Sequence, residues 1–197
     1  PTGNALTPAQ IEKIAASIDC AFLLDEAYVE FYGRSAVNLV KKYPNLIVAR
    51  TFSKAYGMAG ARVGYMIAQA DVTRMINKCF MPYHINILTL AAADIVYQMR
   101  DEFIPRLQMT IAERKRMSER LEKLSGVEVF PSEANFLLIR LARAEELKNY
   151  LESLDIGIRY FSPDAFGLKN CLRISIGTRI ENDEVFDAIK RFLEGGQ

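Results

Sequence analysis

The sequence predicts an α/β fold, in which a mostly parallel sheet with one antiparallel strand is followed by a small α+β domain at the C-terminal end. Two apolar runs, residues 21–24 and 46–49, stop abruptly at polar residues, as strands buried on both faces of a parallel sheet do. A predicted helix over residues 35–43 separates them and completes a βαβ pattern. After residue 125, short strand-like segments alternate with helical ones, which indicates a separate α+β unit.

The direction of the third predicted strand decides where polar side chains meet. Residues 63–68 follow the second strand after a short loop that contains glycine, too short for the crossover that a parallel neighbour requires. We therefore expect this strand to run antiparallel. Its start then lies at the sheet edge where the parallel strands end, which brings Asp25, Lys54 and Arg62 together where ligands of open α/β sheets bind.

The remaining elements follow from capping residues and hydrophobic periodicity. Thr7 and Pro8 are typical of a helix start, and one long helix over residues 87–123 is expected to kink near Pro105. Beyond it the sequence predicts strands at residues 127–130, 136–141, 156–161 and 172–176, and helices at residues 144–154 and 182–193.

These elements divide the chain into three parts. We expect a remnant of a large domain at residues 1–85, a connecting helix at residues 86–124 and a small C-terminal domain at residues 125–197. The opening Pro-Thr-Gly-Asn has no initiator methionine and is turn chemistry that leads directly into a helix. We therefore expect a truncated chain whose large domain is incomplete.

The composition excludes several classes of protein. Of the 197 residues, 50% are hydrophobic and 25% are charged, which is typical of globular proteins. The formal net charge of +1 is spread along the chain and no apolar run has the length of a membrane span, so we expect neither a nucleic-acid partner nor a membrane. Three cysteines form no disulfide framework, and the single histidine, His84, excludes a multi-histidine metal site. These features fit a cytoplasmic protein.

The residues expected at the sheet edge suit a cofactor that has a ring nitrogen, an aldehyde and a phosphate. Opposite a ring nitrogen, Asp25 stays ionised and keeps that nitrogen protonated. Lys54 can bond to the aldehyde and then carry protons, and Tyr28 can approach the phenolic oxygen of the ring. Ser53 and Arg62 can hold the phosphate. Taken singly, Asp25 also fits a turn cap and Tyr28 a core aromatic, but the combination favours a site.

Two segments carry a resemblance to a known family. DEAYVEFYG at residues 25–33 and RTFSKAYGMAGARVGY at residues 50–65 closely resemble the cofactor-binding stretches of class I/II aminotransferases, especially those of the histidinol-phosphate aminotransferase branch. The opening Pro-Thr-Gly resembles the end of the family's Asn-Pro-x-Asn-Pro-Thr-Gly motif. The resemblance implies a fold-type I enzyme that depends on pyridoxal 5'-phosphate.

The resemblance also implies a role for each residue at the sheet edge. Lys54 matches the lysine that holds the cofactor as a Schiff base, and Asp25 matches the partner of the ring nitrogen. Tyr28 matches the donor to the ring oxygen. Ser53 and Arg62 match the phosphate ligands.

The C-terminal part continues the resemblance. SEANFLLIRL at residues 132–141 and CLRISIGT at residues 171–178 resemble strands of the family's small domain. The resemblance implies that Arg173 binds the anionic end of the substrate, a carboxylate in most members and a phosphate or carboxylate in the histidinol-phosphate branch. Arg159 resembles a second anion-binding arginine of that branch. From the residues alone, Arg173 also fits a surface ion pair.

The activity implied by the resemblance is transamination. The amino donor is histidinol phosphate or an aromatic or related amino acid, the acceptor is a 2-oxo acid such as 2-oxoglutarate, and the enzyme is a homodimer. Because the large domain is expected to be incomplete, the chain itself is expected to be inactive or weakly active. Two alternatives stay open: a decarboxylase of phosphorylated amino acids on the same fold, and a non-catalytic sensor or assembly module that keeps the fold.

Overall fold

A computed structural model describes residues 1–161 and 167–195, which form two compact units. The first unit comprises Leu6–Leu107, and the second comprises Pro1–Ala5 together with Gln108–Gln197. The three-part division expected from the sequence stays a prediction. No helix in the described ranges is long and apolar enough to cross a membrane.

A three-stranded sheet lies at the centre of the first unit. Its strands are, in spatial order, β1 (Phe22–Asp25), β2 (Leu46–Thr51) and β3 (Gly64–Ile67). β1 pairs with β2 in parallel, and β3 pairs with β2 in the antiparallel sense. The predicted strand directions are therefore confirmed, because the loop before β3 is too short to return the chain to the other end of the sheet.

The helices of the first unit are α1 (Pro8–Ser17), α2 (Val29–Tyr32), α3 (Ala70–Asn77) and α4 (Ile87–Gln98). α1 begins as predicted, because the side chains of Thr7 and Gln10 each accept the backbone N–H of the other. The helix expected at residues 35–43 is instead a 3-10 helix at Val37–Lys41. Pro44 restricts the residue before it and leaves no room for a longer helix. α3 was not expected from the sequence.

The long helix expected over residues 87–123 is not continuous. α4 ends at Gln98, a 3-10 helix covers Arg100–Phe103, and α5 runs over Ile104–Leu121. Pro105 is thus the second residue of a new helix, where the missing N–H of proline costs nothing. The expected kink is replaced by a break that precedes the proline.

The first unit has a small core on one side of its sheet. The largest cluster of buried side chains there contains Ile11, Leu24, Ala36, Val40, Leu46 and Val48. A second cluster contains Phe52, Val63 and Ala93. Because side chains alternate along a strand, Leu23 points away from Leu24, and it is 64% exposed.

The second unit is built on a four-stranded antiparallel sheet. Its strands are, in spatial order, β4 (Glu128–Phe130), β5 (Phe136–Arg140), β7 (Cys171–Ser175) and β6 (Arg159–Phe161). The helices are α5, α6 (Ala144–Glu152) and α7 (Arg179–Glu194). α7 starts before the predicted residue 182, because Thr178 and Glu181 form a capping box at its N-terminus.

One face of this sheet and the three helices share a single core. Thirteen buried residues form it, among them Met117 of α5, Leu147 of α6, Leu172 of β7 and Ile189 of α7, each fully buried. The opposite face of the sheet has a smaller cluster, which contains Leu138, Phe161, Leu168 and Cys171. Arg173 and Arg159 belong to that opposite face, because they alternate with residues of the main core.

Candidate active site

The residues predicted for a site lie at one edge of the first unit's sheet. β1 ends at Asp25, and β2 ends at Thr51, which pairs with Gly64 at the start of β3. Lys54 follows β2 and Arg62 precedes β3, so the chain carries both past the same end of the ladder. All three predicted groups therefore belong to one edge.

Lys54 lies in a turn that is anchored by its buried neighbours. Phe52 and Ala55 are 6% and 4% exposed. The Phe52 N–H donates to the Val63 carbonyl at 3.2 Å, which extends the ladder up to the turn. The Lys54 side chain is exposed, and its Nζ lies 5.5 Å from the centroid of the half-buried Tyr28 ring. The Lys54 amine and the Tyr28 phenol are thus neighbours, and buried side chains anchor the turn that carries the lysine.

Asp25 is exposed and caps a turn. Its Oδ1 accepts the backbone N–H of Ala27 at 2.9 Å, in the turn that leads into α2. Its other oxygen has no hydrogen-bond partner among the described residues. The side chain is on the same face as Leu23 and opposite Leu24, so it points away from the buried cluster. One carboxylate oxygen serves the turn, and the other is available at the sheet edge.

Arg62 has an unusual backbone. Its φ of 53° is in the left-handed region, which residues other than glycine rarely adopt. Its side chain is exposed, and Nη1 donates to the Ala59 carbonyl at 3.0 Å. In the turn after β2, opposite Arg62, the Ser53 N–H donates to the hydroxyl of Thr51, two residues earlier, at 3.0 Å. The Ser53 hydroxyl and the Arg62 guanidinium are therefore presented from turns of fixed backbone.

Gly64, the second glycine of the GARVG motif, lies where no side chain fits. A Cβ built on Gly64 would lie 2.6 Å from the carbonyl oxygen of Arg50, which is backbone and has no room to move within the ladder. Any other residue here would push β3 away from β2. The glycine thus allows Arg62 and the turn after β2 to stay close.

A partly buried ion pair, not expected from the sequence, lies on the reverse face of the same strands. Arg50 donates to Glu26 Oε2 from Nε at 3.0 Å and from Nη2 at 2.8 Å. Glu26 is 8% exposed. The signal was present in the alternation of side chains, since Glu26 continues the buried face of Leu24 and Arg50 continues that of Val48. A charge on a buried face requires a partner.

Several other ionisable groups of the first unit are perturbed by burial. Burial raises the pKa of the Glu30 carboxyl above its ordinary value, although a hydrogen bond and the charge of Arg50 act against this. Burial, and then the charge of Glu30, raises the pKa of the Tyr56 hydroxyl. Burial therefore disfavours the ionised forms of Glu30 and Tyr56.

The two predicted substrate arginines belong to the second unit, where they lie side by side. Arg159 of β6 pairs directly with Arg173 of β7 across the antiparallel ladder. The Arg173 guanidinium lies 5.1 Å from the centroid of the Phe136 ring, and that of Arg159 lies 6.0 Å from that of Phe161. Within the described residues, neither arginine has an ion-pair partner. The alternative of a surface ion pair for Arg173 therefore finds no support in the described ranges.

The family of the chain follows from its sequence match. A model of the family described as aminotransferase class I and II matches residues 1–189. The chain belongs to this family. A histidinol-phosphate aminotransferase of Roseiflexus castenholzii is 38% identical over 195 residues, which cover 96% of this chain and 52% of the relative. This aminotransferase-family chain spans about half the length of the curated relatives it matches.

Solved structures share the fold. L-threonine-O-3-phosphate decarboxylase from Porphyromonas gingivalis has a TM-score of 0.88 and 30% identity, covering 98% of this chain and 62% of that one. Histidinol-phosphate aminotransferase from Sinorhizobium meliloti, solved in complex with pyridoxal-5'-phosphate, has a TM-score of 0.86 and 27% identity, covering 99% and 55%. The aminotransferase-family chain thus has the fold-type I architecture, as the sequence predicts.

Proposed function

We propose that this chain supplies the cofactor lysine and the substrate-binding arginines of a pyridoxal-phosphate-dependent aminotransferase. The observation that carries the proposal is the sheet edge that presents Asp25, Lys54 and Arg62, with Tyr28 beside the lysine. A carboxylate, an amine, a phenol and a guanidinium form a donor set that matches a ring nitrogen, an aldehyde, a phenolic oxygen and a phosphate.

Each side chain has a distinct chemical task. The Lys54 amine would hold the cofactor through its aldehyde carbon, with loss of water, and once displaced by the substrate amine it would move a proton at the substrate's α-carbon. Asp25 holds a proton on the ring nitrogen with its free carboxylate oxygen, while Ser53 and Arg62 bind the phosphate. When bound, pyridoxal phosphate supplies the sink for the electron pair released at the α-carbon.

The paired arginines support an anionic substrate. Two like charges directly opposite each other on neighbouring strands repel, and a doubly charged anion between Arg159 and Arg173 removes that repulsion. Histidinol phosphate carries such a charge on its phosphate, and 2-oxoglutarate carries it on two carboxylates. We expect the first, or an aromatic or related amino acid, as amino donor and the second as acceptor, in a cytoplasmic homodimer.

A decarboxylase of phosphorylated amino acids is the second candidate. It is favoured by the similarity to L-threonine-O-3-phosphate decarboxylase, since the same groups hold the same cofactor whichever bond to the α-carbon breaks. Product analysis separates the two reactions. An aminotransferase yields a new amino acid from the 2-oxo acid, whereas a decarboxylase releases carbon dioxide and consumes no acceptor.

The central experiment is borohydride reduction of the full-length protein loaded with pyridoxal phosphate, followed by peptide mapping. A pyridoxyl group is expected on Lys54 and is expected to be lost in Lys54→Ala. Lys13→Ala is the matched control, because Lys13 is an exposed lysine of α1 in the same unit. Labelling of other lysines without Lys54 contradicts the proposal.

The arginines are tested separately. Arg173→Gln and Arg159→Gln are each expected to raise the KM of an anionic substrate by roughly 10- to 100-fold, the worth of a hydrogen bond to a charged group. Arg140→Gln is the control, because Arg140 is on the same face of the sheet but pairs with Glu128 at 3.0 Å. Equal effects of all three changes contradict an anion site at the pair. Absence of transamination by the full-length protein across phosphorylated and aromatic amines, with cofactor still bound, favours a non-catalytic sensor or assembly module.

The isolated chain of 197 residues is expected to turn over weakly or not at all. Its first unit leaves many large apolar side chains exposed, including Tyr83, Ile87 and Leu88. Comparison of turnover by this chain and by the full-length protein at equal concentration tests the expectation. Equal rates contradict it.

A further inference from the structure

A cluster of the buried Glu26 with the half-buried Arg50 and Ser35 lies on the sheet face opposite Asp25, and the proposed mechanism does not use it. Besides its two bonds from Arg50, the Glu26 carboxylate accepts the Ser35 hydroxyl at 2.9 and 3.0 Å and the Ala36 N–H at 2.7 Å. Arg50 Nη2 also donates to the Ser35 hydroxyl oxygen at 2.7 Å. The three side chains therefore hold one another in a single geometry.

We infer that this cluster, the Glu26–Arg50 lock, positions the cofactor site by fixing the strand ends from which Asp25 and Lys54 project. The inference rests on the proposed function. The members of the lock are positioning residues, because they act through the backbone and belong to the other face of the sheet.

The register of the strands supports this role. Glu26 comes directly after Asp25, the last residue of β1, and its N–H donates to the Ala49 carbonyl of β2 at 2.8 Å. On β2, Arg50 stands just before the turn that presents Lys54. Arg50 in turn pairs across the ladder with Tyr65 of β3, shortly after Arg62. Each of the three strands, with the turn beside it, thus carries one residue of the proposed cofactor site and one residue on the opposite face of the sheet.

The electrostatics of the lock keep Arg50 charged. Burial by itself lowers the pKa of the guanidinium, but hydrogen bonds with Tyr65 and with Glu26 outweigh this effect, so the pKa is raised above its ordinary value. The arginine therefore stays charged in its contact with Glu26, and Tyr65 of β3 is its partner across the ladder.

The Glu26–Arg50 ion pair is expected to add little to the stability of the fold. A buried ion pair gains little over apolar residues of equal size, because removing both charges from water offsets their attraction. A two-bond arginine–carboxylate contact does, however, specify distance and orientation. Binding groups must be held within fractions of an ångström, so a rigid support behind the edge has a direct effect on cofactor affinity.

The experiment measures cofactor binding and absorbance in the full-length protein rather than turnover. Variants Glu26→Gln and Ser35→Ala are prepared without cofactor, and pyridoxal phosphate is titrated in. Both are expected to bind it about 10-fold more weakly, the scale typical of lost support around a ligand site. The pH at which the bound cofactor's absorption band changes is expected to shift, because the Asp25 carboxylate that would hold the proton on the ring nitrogen would lose its fixed position.

The control is Glu12→Gln, which breaks the exposed ion pair of Glu12 with Lys42 in the same unit, at 2.7 Å. It is expected to leave both readouts unchanged. If Glu26→Gln fails to fold, Ser35→Ala decides, because it removes one hydroxyl and leaves both charges.

The outcomes separate the two proposals. Lower melting temperatures with wild-type cofactor affinity and an unshifted band mean that the lock is only structural, and overturn the inference while the proposed function stands. Failure of the wild-type protein to bind pyridoxal phosphate overturns both. Weaker binding with a shifted band in the lock variants, against an unchanged control, supports the inference.

Discussion

The two units of the chain bury their apolar side chains to very different extents. Among the described residues, thirteen large apolar side chains of the first unit are exposed, against three of the second, which are Met109, Leu154 and Ile180. The main core of the second unit contains thirteen buried residues and that of the first only six. The second unit therefore has the core of an independent domain, whereas the first has apolar surface still to be covered.

The largest difference is expected from one truncation in each unit. Leu172→Ala empties a fully buried position of the main core and should lower the free energy of unfolding by about 2–5 kcal/mol. Leu23→Ala, the matched change at a side chain that is 64% exposed, should stay within about 0.5 kcal/mol. Urea denaturation of the chain measures both. A large cost at Leu23 would show that its face of the sheet is already covered.

The hydrogen bonds of Asn182 in the second unit should make the next largest contribution to the free energy of unfolding. Asn182 is 2% exposed, and its amide donates to Glu113 at 3.0 Å and to the Gly177 carbonyl at 3.1 Å while accepting the Gly177 N–H. Asn182→Ala leaves the Gly177 N–H and carbonyl without their side-chain partner and removes one of the donors to Glu113, so it should cost about 1–3 kcal/mol. Asn149→Ala, at an exposed position of α6, is the control. Thermal denaturation that ranks the two equally would contradict the prediction.

Glu113 and Glu30 should give the two units opposite responses to pH. Hydrogen bonds from Arg116 hold the pKa of Glu113 below its ordinary value of 4.5, against the effect of burial. Its stabilisation is present above that value and is lost as the pH falls through the lowered pKa. Burial raises the pKa of Glu30, so its contribution is largest below 4.5 and declines as the pH rises through the raised pKa.

Hydrogen exchange of each unit between about pH 3 and about pH 7 separates these effects. Glu113→Gln is expected to reduce the acid sensitivity of the second unit alone. Glu30→Gln is expected to reduce the loss of protection that the first unit shows toward neutral pH. The same sign in both units would contradict the assigned pKa shifts.

The smallest pair of effects concerns the two capping boxes. Thr7→Ala and Thr178→Ala each remove an N-cap hydroxyl and should cost about 1 kcal/mol. Exchange of the α1 amides should accelerate in the first variant and that of the α7 amides in the second, with serine restoring protection in both. Equal acceleration in both units from either change would mean that they unfold together.

The parts of this architecture that depend on short-range signals could be predicted from the sequence. The start of α1 follows from Thr7 and Pro8, which are typical of the first residues of a helix. The antiparallel direction of β3 follows from the length of the loop before it. Strand direction then places Asp25 and Lys54 at one edge. These inferences need no knowledge of distant partners.

Other features depend on pairings that the sequence does not show. The contact of Arg159 with Arg173 is set by the register of β6 on β7, and Arg50 finds Glu26 and Ser35 only when the strands and the 3-10 helix have assembled. The break before Pro105 reflects competition between a kink and a new helix start, which periodicity alone does not resolve.

Because Arg62 has a left-handed backbone, replacing it should affect stability and cofactor binding very differently. A residue with a Cβ in this conformation costs about 1–2 kcal/mol, and glycine would remove that cost while adding a comparable loss of chain entropy. Arg62→Gly should therefore be almost silent in any measurement of stability, although it removes the guanidinium proposed for the cofactor phosphate. A screen for well-folded variants would accept the change, and only a ligand would reveal what the position is for.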